Sequence, residues 1–218
     1  PPRLGLRHCR RHPLLGRHPV SHVRRDHPRI VGRTALEEDQ YGLPGLELRR
    51  LLQHDLDAIQ SRIRAIGASI VTAIDAAVRA FLESDREIAS RTVLGDLPIN
   101  RATRELDRAC HAFVARHLPS AGHLRYISSV MRLSVALERI GDYAVTICRE
   151  TVQMGSKPSK TVKRDAQVMA DQARTCFEQA MKAFDEQDPE LARGTMVLAD
   201  LLTESFNKIF NDLVEDSE

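Results

Sequence analysis

Leu137-Glu138-Arg139-Ile140-Gly141-Asp142-Tyr143-Ala144-Val145-Thr146-Ile147 lies late in a long amphipathic segment. On a helix Glu138 and Asp142 fall one turn apart, so both carboxylates leave the same face. Leu137, Gly141, Ala144 and Cys148, spaced four, three and four, form an apolar stripe beside them. The stretch is therefore expected to pack as a helix with two acids at the edge of its buried side. Two close anions repel, so a shared cation, a shared proton or an arginine is needed if both are partly buried. The plain alternative is a solvated acidic pair, since Glu and Asp at this spacing are common on helices.

Working outward, the same three-and-four spacing governs most of the chain. Leu52, Leu56, Ile59, Ile63, Ile66, Ile70, Ala73, Ala77 and Phe81 predict one helix of about ten turns. A stripe so long and narrow needs partner helices packed nearly parallel to it. Residues 86–118 continue helically with an irregularity at Gly95-Asp96-Leu97-Pro98, because proline lacks a donor and disfavours helix before it. Pro119-Ser120-Ala121-Gly122 closes that segment, and the motif helix runs from about 121 to 154. Met154-Gly155-Ser156-Lys157-Pro158-Ser159 is a turn. Ala166, Met169, Ala173, Phe177, Ala180 and Phe184 restart a helical stripe, and a last helix begins at Pro189.

An internal repeat ties the two halves together. Shifted by 103 residues, 77–92 aligns with 180–195 and pairs Ala77 with Ala180, Ala80 with Ala183, Phe81 with Phe184, Asp85 with Asp188 and Thr92 with Thr195. This predicts a duplicated three-helix unit. Glu138 lies 53 residues after Asp85, so the matching glutamate of the second unit is expected near 241, past Glu218. The expected architecture is thus all-α: an irregular Arg/His/Pro-rich extension over 1–45, a three-helix unit over 46–154, and an incomplete second unit of two helices over 160–218. An unpartnered stripe on that second unit favours self-association.

Charge is uneven along the 218 residues. Residues 1–33 hold nine arginines and one aspartate, +8, so the other 185 carry −6 of the net +2. A mildly acidic body argues against a nucleic-acid surface. Residues 1–45 are expected to be disordered, holding five of the nine histidines and six of the ten prolines without any period. The four cysteines are scattered, which points to reduced thiols in a cytoplasmic protein. No uninterrupted apolar run reaches the roughly 18 residues of a membrane span.

The segment from Pro119 through Leu124-Arg125 to the Glu138-x-x-x-Asp142 helix resembles the signature of the PhoU family of phosphate-uptake regulators. The resemblance covers roughly residues 46–218 and departs at Thr146, where the family has asparagine, and at His123, where it often has aspartate. It implies tandem three-helix repeats and a non-enzymatic negative regulator of phosphate uptake and phosphate-starvation signalling. The implied partners are a second copy, the phosphate ABC transporter ATPase and a sensor histidine kinase, with membrane association only through them. It also implies iron, zinc or another divalent metal at the acidic motif, here Glu138 and Asp142. Thr146 offers a hydroxyl in place of an amide oxygen, so such a site is expected to be weak. Arg125, from its place in that signature, is a candidate anchor for anions or acidic partners.

Competing readings follow from the residues themselves. The chain has no Gly-rich phosphate loop, no nucleophile elbow and no His-Glu-x-x-His. A di-metal carboxylate bundle would need Glu-x-x-His pairs on facing helices, and none is found there. A metal-independent helical scaffold remains the main alternative. His123 is 15 residues before Glu138, about 22 Å along a helix, and cannot share its site. His111 and His117 are expected at the core edge or in solvent. Met131, Phe177, Phe184 and Phe206 are expected to be core.

Overall fold

The computed structural model describes residues 43–215, and the described residues are helical with short turns between the helices. The expected extension at 1–45 lies almost wholly outside them. Six helices follow in order: α1 (Leu43–Glu83), α2 (Arg86–Leu94), α3 (Asp96–His117), α4 (Ala121–Gln153), α5 (Lys160–Glu186) and α6 (Pro189–Glu215). Five were expected. The extra boundary is at Gly95, where α2 gives way to α3 at the Gly95–Pro98 irregularity.

α1 is the axis of the fold because its isoleucines recur on one face. Ile59, Ile63, Ile66 and Ile70 are 0–2% exposed. They meet Leu106, Cys110 and Phe113 of α3 and Ile127, Val130 and Leu137 of α4 in one core. Gly45–Glu83 is long and apolar enough to cross a membrane by composition, but this apolar face is taken up inside the bundle. α3 runs back along α1, so His117 meets Asp55, and α4 returns alongside both. Towards the other end α1, α2 and α4 meet through Ala77, Ala80, Ala89, Ala144 and Cys148. Small side chains there let three backbones approach closely.

α5 lies antiparallel to α1. Gln60 Nε2 and Arg64 Nε donate to Asp185 Oδ1 at 2.8 Å near one end, and Arg174 pairs with Asp75 at 3.1 Å further along. Phe177, Met181 and Phe184 of α5 pack onto the α1–α4 core, with Phe184 stacked on Tyr126 at 6.0 Å. α6 packs only on α5 among the described helices. Phe206, expected in the core, is instead 50% exposed, because no described helix covers that side of α6.

The repeat read from sequence is visible atom by atom in the two interhelical turns. The Asp85 N–H donates to Ala80 O at 2.9 Å, and the Asp188 N–H to Ala183 O at 3.0 Å. Ser84 and Gln187 take left-handed φ of 57° and 53°, ending the preceding helix. Asp85 Oδ1 then accepts from the Glu87 and Ile88 N–H groups, and Asp188 Oδ1 from those of Glu190 and Leu191, capping α2 and α6 alike.

Candidate functional site

The acidic motif sits where the start of α3 crosses α4. Leu137, Ala144 and Cys148 are 0–1% exposed and Gly141 is buried, as the stripe predicts. Gly141 faces α3: a Cβ placed there would lie 3.5 Å from Ile99 Cγ2 and 3.8 Å from Asp96 Oδ1. Glu138 is half-buried and Asp142 exposed. Neither makes a hydrogen bond or ion pair with another described side chain. The helix therefore presents its two acids beside α3 rather than spending them on neighbouring cations.

Asp96 and Asn100 of α3 complete the polar surroundings, and the sequence reading missed both. It took Gly95–Pro98 only as a helix irregularity, although Asp96 and Asn100 themselves stand one turn apart. Asn100 Nδ2 donates to Asp96 Oδ2 at 2.5 Å. Asp96 Oδ1 and Asn100 Oδ1 are buried and have no hydrogen-bond partner. Burial pushes the Asp96 carboxyl above its usual range, and the negative charge of Asp142 pushes it further. Arg149 and the Asn100 amide partly offset this, but two orphaned acceptors beside a carboxylate on the next helix remain a costly arrangement that a cation or proton would relieve.

The donors fit a hard cation in kind, since all are oxygens. Among the described residues, however, no group of three His, Cys, Asp or Glu side chains is close enough together to hold a metal by itself. Any cation would rest on two acids, the Asn100 amide oxygen and water. Thr146 does not add a donor, because its hydroxyl donates to Asp142 O at 2.9 Å. Thiolate ligation is also absent from this end. Cys148 is fully buried with its thiol raised by burial, and Cys110 is pushed up to about 11 for the same reason, so both stay protonated.

The histidines are elsewhere. The His117 side chain is 1% exposed, with Nε2 2.8 Å from Asp55 Oδ2, and Arg116 Nη1 lies 2.6 Å from the same oxygen. The His117 hydrogen bond, then that of His54 and then Arg116, holds the Asp55 carboxyl below its usual value. This pins the end of α3 to α1 and has no link to the acidic motif. His111 is exposed beside Asp107, and His123 stands at the α3–α4 turn, edge-on to Phe113. Arg125 is exposed, while Arg139 reaches the Tyr143 hydroxyl at 3.3 Å.

Known proteins share this sequence and this shape. Residues 63–151, from the middle of α1 to the end of α4, match the PhoU domain. The "Phosphate-specific transport system accessory protein PhoU homolog" of Pseudomonas putida is 29% identical over 163 residues, 73% of this chain and 63% of that protein. The PhoU protein of Escherichia coli is 29% identical over 103 residues, 47% of this chain and 43% of its own. The chain thus spans less than two thirds of the length of these curated relatives. The crystal structure of PhoU from Pseudomonas aeruginosa superposes with a TM-score of 0.70 at 26% identity, covering 75% of this chain and 78% of that one. The domain match over 63–151, the relatives and the shared fold agree with one another: this chain is similar to PhoU proteins in sequence and in shape.

Proposed function

We propose that this protein is a non-enzymatic, cytoplasmic negative regulator of phosphate uptake and phosphate-starvation signalling. It acts by contact with the phosphate ABC transporter ATPase and a sensor histidine kinase. The observation that carries the reading is the PhoU domain over 63–151, which contains the Glu138–Asp142 helix and its approach to Asp96. The exposed face of α6, with Met196, Val197, Leu201, Phe206 and Phe210 each at least half uncovered, supports a homodimer as the working form. Deleting the gene in its host and measuring phosphate uptake and starvation-gene expression in high phosphate tests the role. Expression and uptake should rise; unchanged values in both high and low phosphate would overturn it.

At the acidic motif, Glu138 and Asp142 would hold iron, zinc or another divalent cation, with the Asn100 amide oxygen and water completing its shell. When bound, the cation would add positive charge among these oxygens and couple α3 to α4. Glu138→Ala with Asp142→Ala should abolish metal in the purified protein, measured by elemental analysis, with helical circular dichroism nearly unchanged. A second reading is a metal-independent helical scaffold, favoured by the absence of any three-residue acid, His or Cys cluster among the described residues. Wild-type protein that binds no cation on titration would select the scaffold.

A further inference from the structure

A cleft of about 400 Å³ opens between α1 and the α2–α3 bend. Its floor is apolar, made by Ala73, Ala76 and Ile99, and its rim carries Arg79 from α1 and Arg91 and Thr92 from α2. No carboxylate lines it. Arg79 is exposed and makes no ion pair with a described residue, although it also borders the neighbouring α1–α5 groove, which Asp75 and Glu83, a turn to either side, line with it. Arg91 pairs with Glu87, but both are about three-quarters exposed, where such a pair is weak and open to competition.

The repeat provides an internal control. At the matching places of the second unit, Ala73 becomes Cys176, Ala76 becomes Gln179, Arg79 becomes Lys182 and Arg91 becomes Gly194. There the space is occupied: Cys176 Sγ lies 3.9 Å from Thr195 O, and Gln179 Nε2 comes within 3.6 Å of where a Gly194 Cβ would be. An open cleft is therefore not a necessary product of this helix hairpin. It follows from two alanines on α1 and the bend at Gly95, and it occurs together with two guanidinium groups on facing walls.

We infer that this cleft binds a small phosphate monoester with a flat apolar body. Guanidinium groups from two walls suit a multi-oxygen anionic head, which accepts paired N–H donors. The floor suits a ring, and the volume lies in the range of small-molecule sites. The rim hydroxyls of Thr72 and Thr92, now donating to Ala68 O and Ile88 O, can turn to the head.

Isothermal titration of the full chain with AMP, phenyl phosphate, adenosine and inorganic phosphate tests this. AMP or phenyl phosphate should bind at least about tenfold more tightly than inorganic phosphate, and adenosine should not bind. Ala76→Gln, which copies the filled second unit, and Arg79→Gln should each weaken binding by roughly tenfold or more with helical circular dichroism unchanged. The inference is overturned if neither phosphate ester binds at millimolar concentration, if adenosine binds as well as AMP, or if both variants keep wild-type affinity.

Discussion

The two repeat units begin alike and end differently. Their turns share hydrogen bonds, a left-handed residue and an aspartate cap, yet Ala77 and Ala89 of the first unit are fully buried whereas Ala180 and Ala192 of the second are exposed. Val93 packs against the alanine layer, while Val197 further along α6 is 60% exposed. The residue types match; what differs is α4. Its Ala144 and Cys148 close over α1 and α2, and no described helix does so for α5 and α6. The helix hairpin is thus a local product of the chain, whereas its burial depends on a third helix.

The path after the hairpin differs as well. Val93-Leu94-Gly95-Asp96-Leu97 recurs as Val197-Leu198-Ala199-Asp200-Leu201, one residue later than the repeat offset. Alanine has replaced the glycine, and Leu202 stands where the first unit has Pro98. Without either irregularity α6 runs straight for 27 residues, while the first unit divides into α2 and α3. That division brings Asp96 and Asn100 against α4, so the candidate site depends on a helix break as much as on the acidic helix itself.

The largest expected effect would break this contrast at its aromatic residues. Phe113, 1% exposed, should cost about 3–5 kcal/mol of stability when replaced by alanine, and Phe206→Ala should stay within about 0.5 kcal/mol, both read from urea unfolding of the monomer at a protein concentration too low for the proposed dimer. Equal losses would mean that the second unit is covered in solution. Enlarging the paired alanines sharpens the point. Ala89→Leu should destabilise by about 1–3 kcal/mol through overpacking, and Ala192→Leu by less than about 0.5 kcal/mol.

The caps should behave alike, because their geometry is shared. Asp85→Ala and Asp188→Ala should each cost about 1 kcal/mol, and a large disparity would show that tertiary contact rather than capping fixes one of the turns. The smallest effect is a pH dependence found in the first unit, where Asp55 pairs with His117; at the place matching Asp55 the second unit has Pro158. The Asp55 carboxyl is held below its ordinary value by His117 first, then by His54 and Arg116. A depressed acid contributes stability that is present above its unfolded pKa and lost as pH falls through the folded one. Wild-type unfolding midpoints should therefore fall more steeply below about pH 4 than those of Asp55→Asn; identical acid limbs would show that the His117 contact does not persist.

Much of this was legible in the residues alone. Three-and-four spacing determined the helices and their inward faces, so the Leu137–Cys148 stripe and the isoleucines of α1 are buried as expected. The 103-residue offset anticipated two equivalent turns, because capping and left-handed termination are set by a few neighbouring residues. Local sequence also placed Glu138 and Asp142 on one face.

Only the tertiary structure decided the rest. Asp96 and Asn100 join the acidic helix from 42 residues upstream through the bend at Gly95, a relation that no periodicity within one helix contains. Of the two places expected for His117, solvent or core edge, α3 selects the second by returning it to Asp55, and Phe206 is exposed although its spacing matches that of buried aromatics. A helix's own sequence states which face is apolar. Whether that face is covered, and which polar groups meet across it, depends on what another part of the chain brings against it.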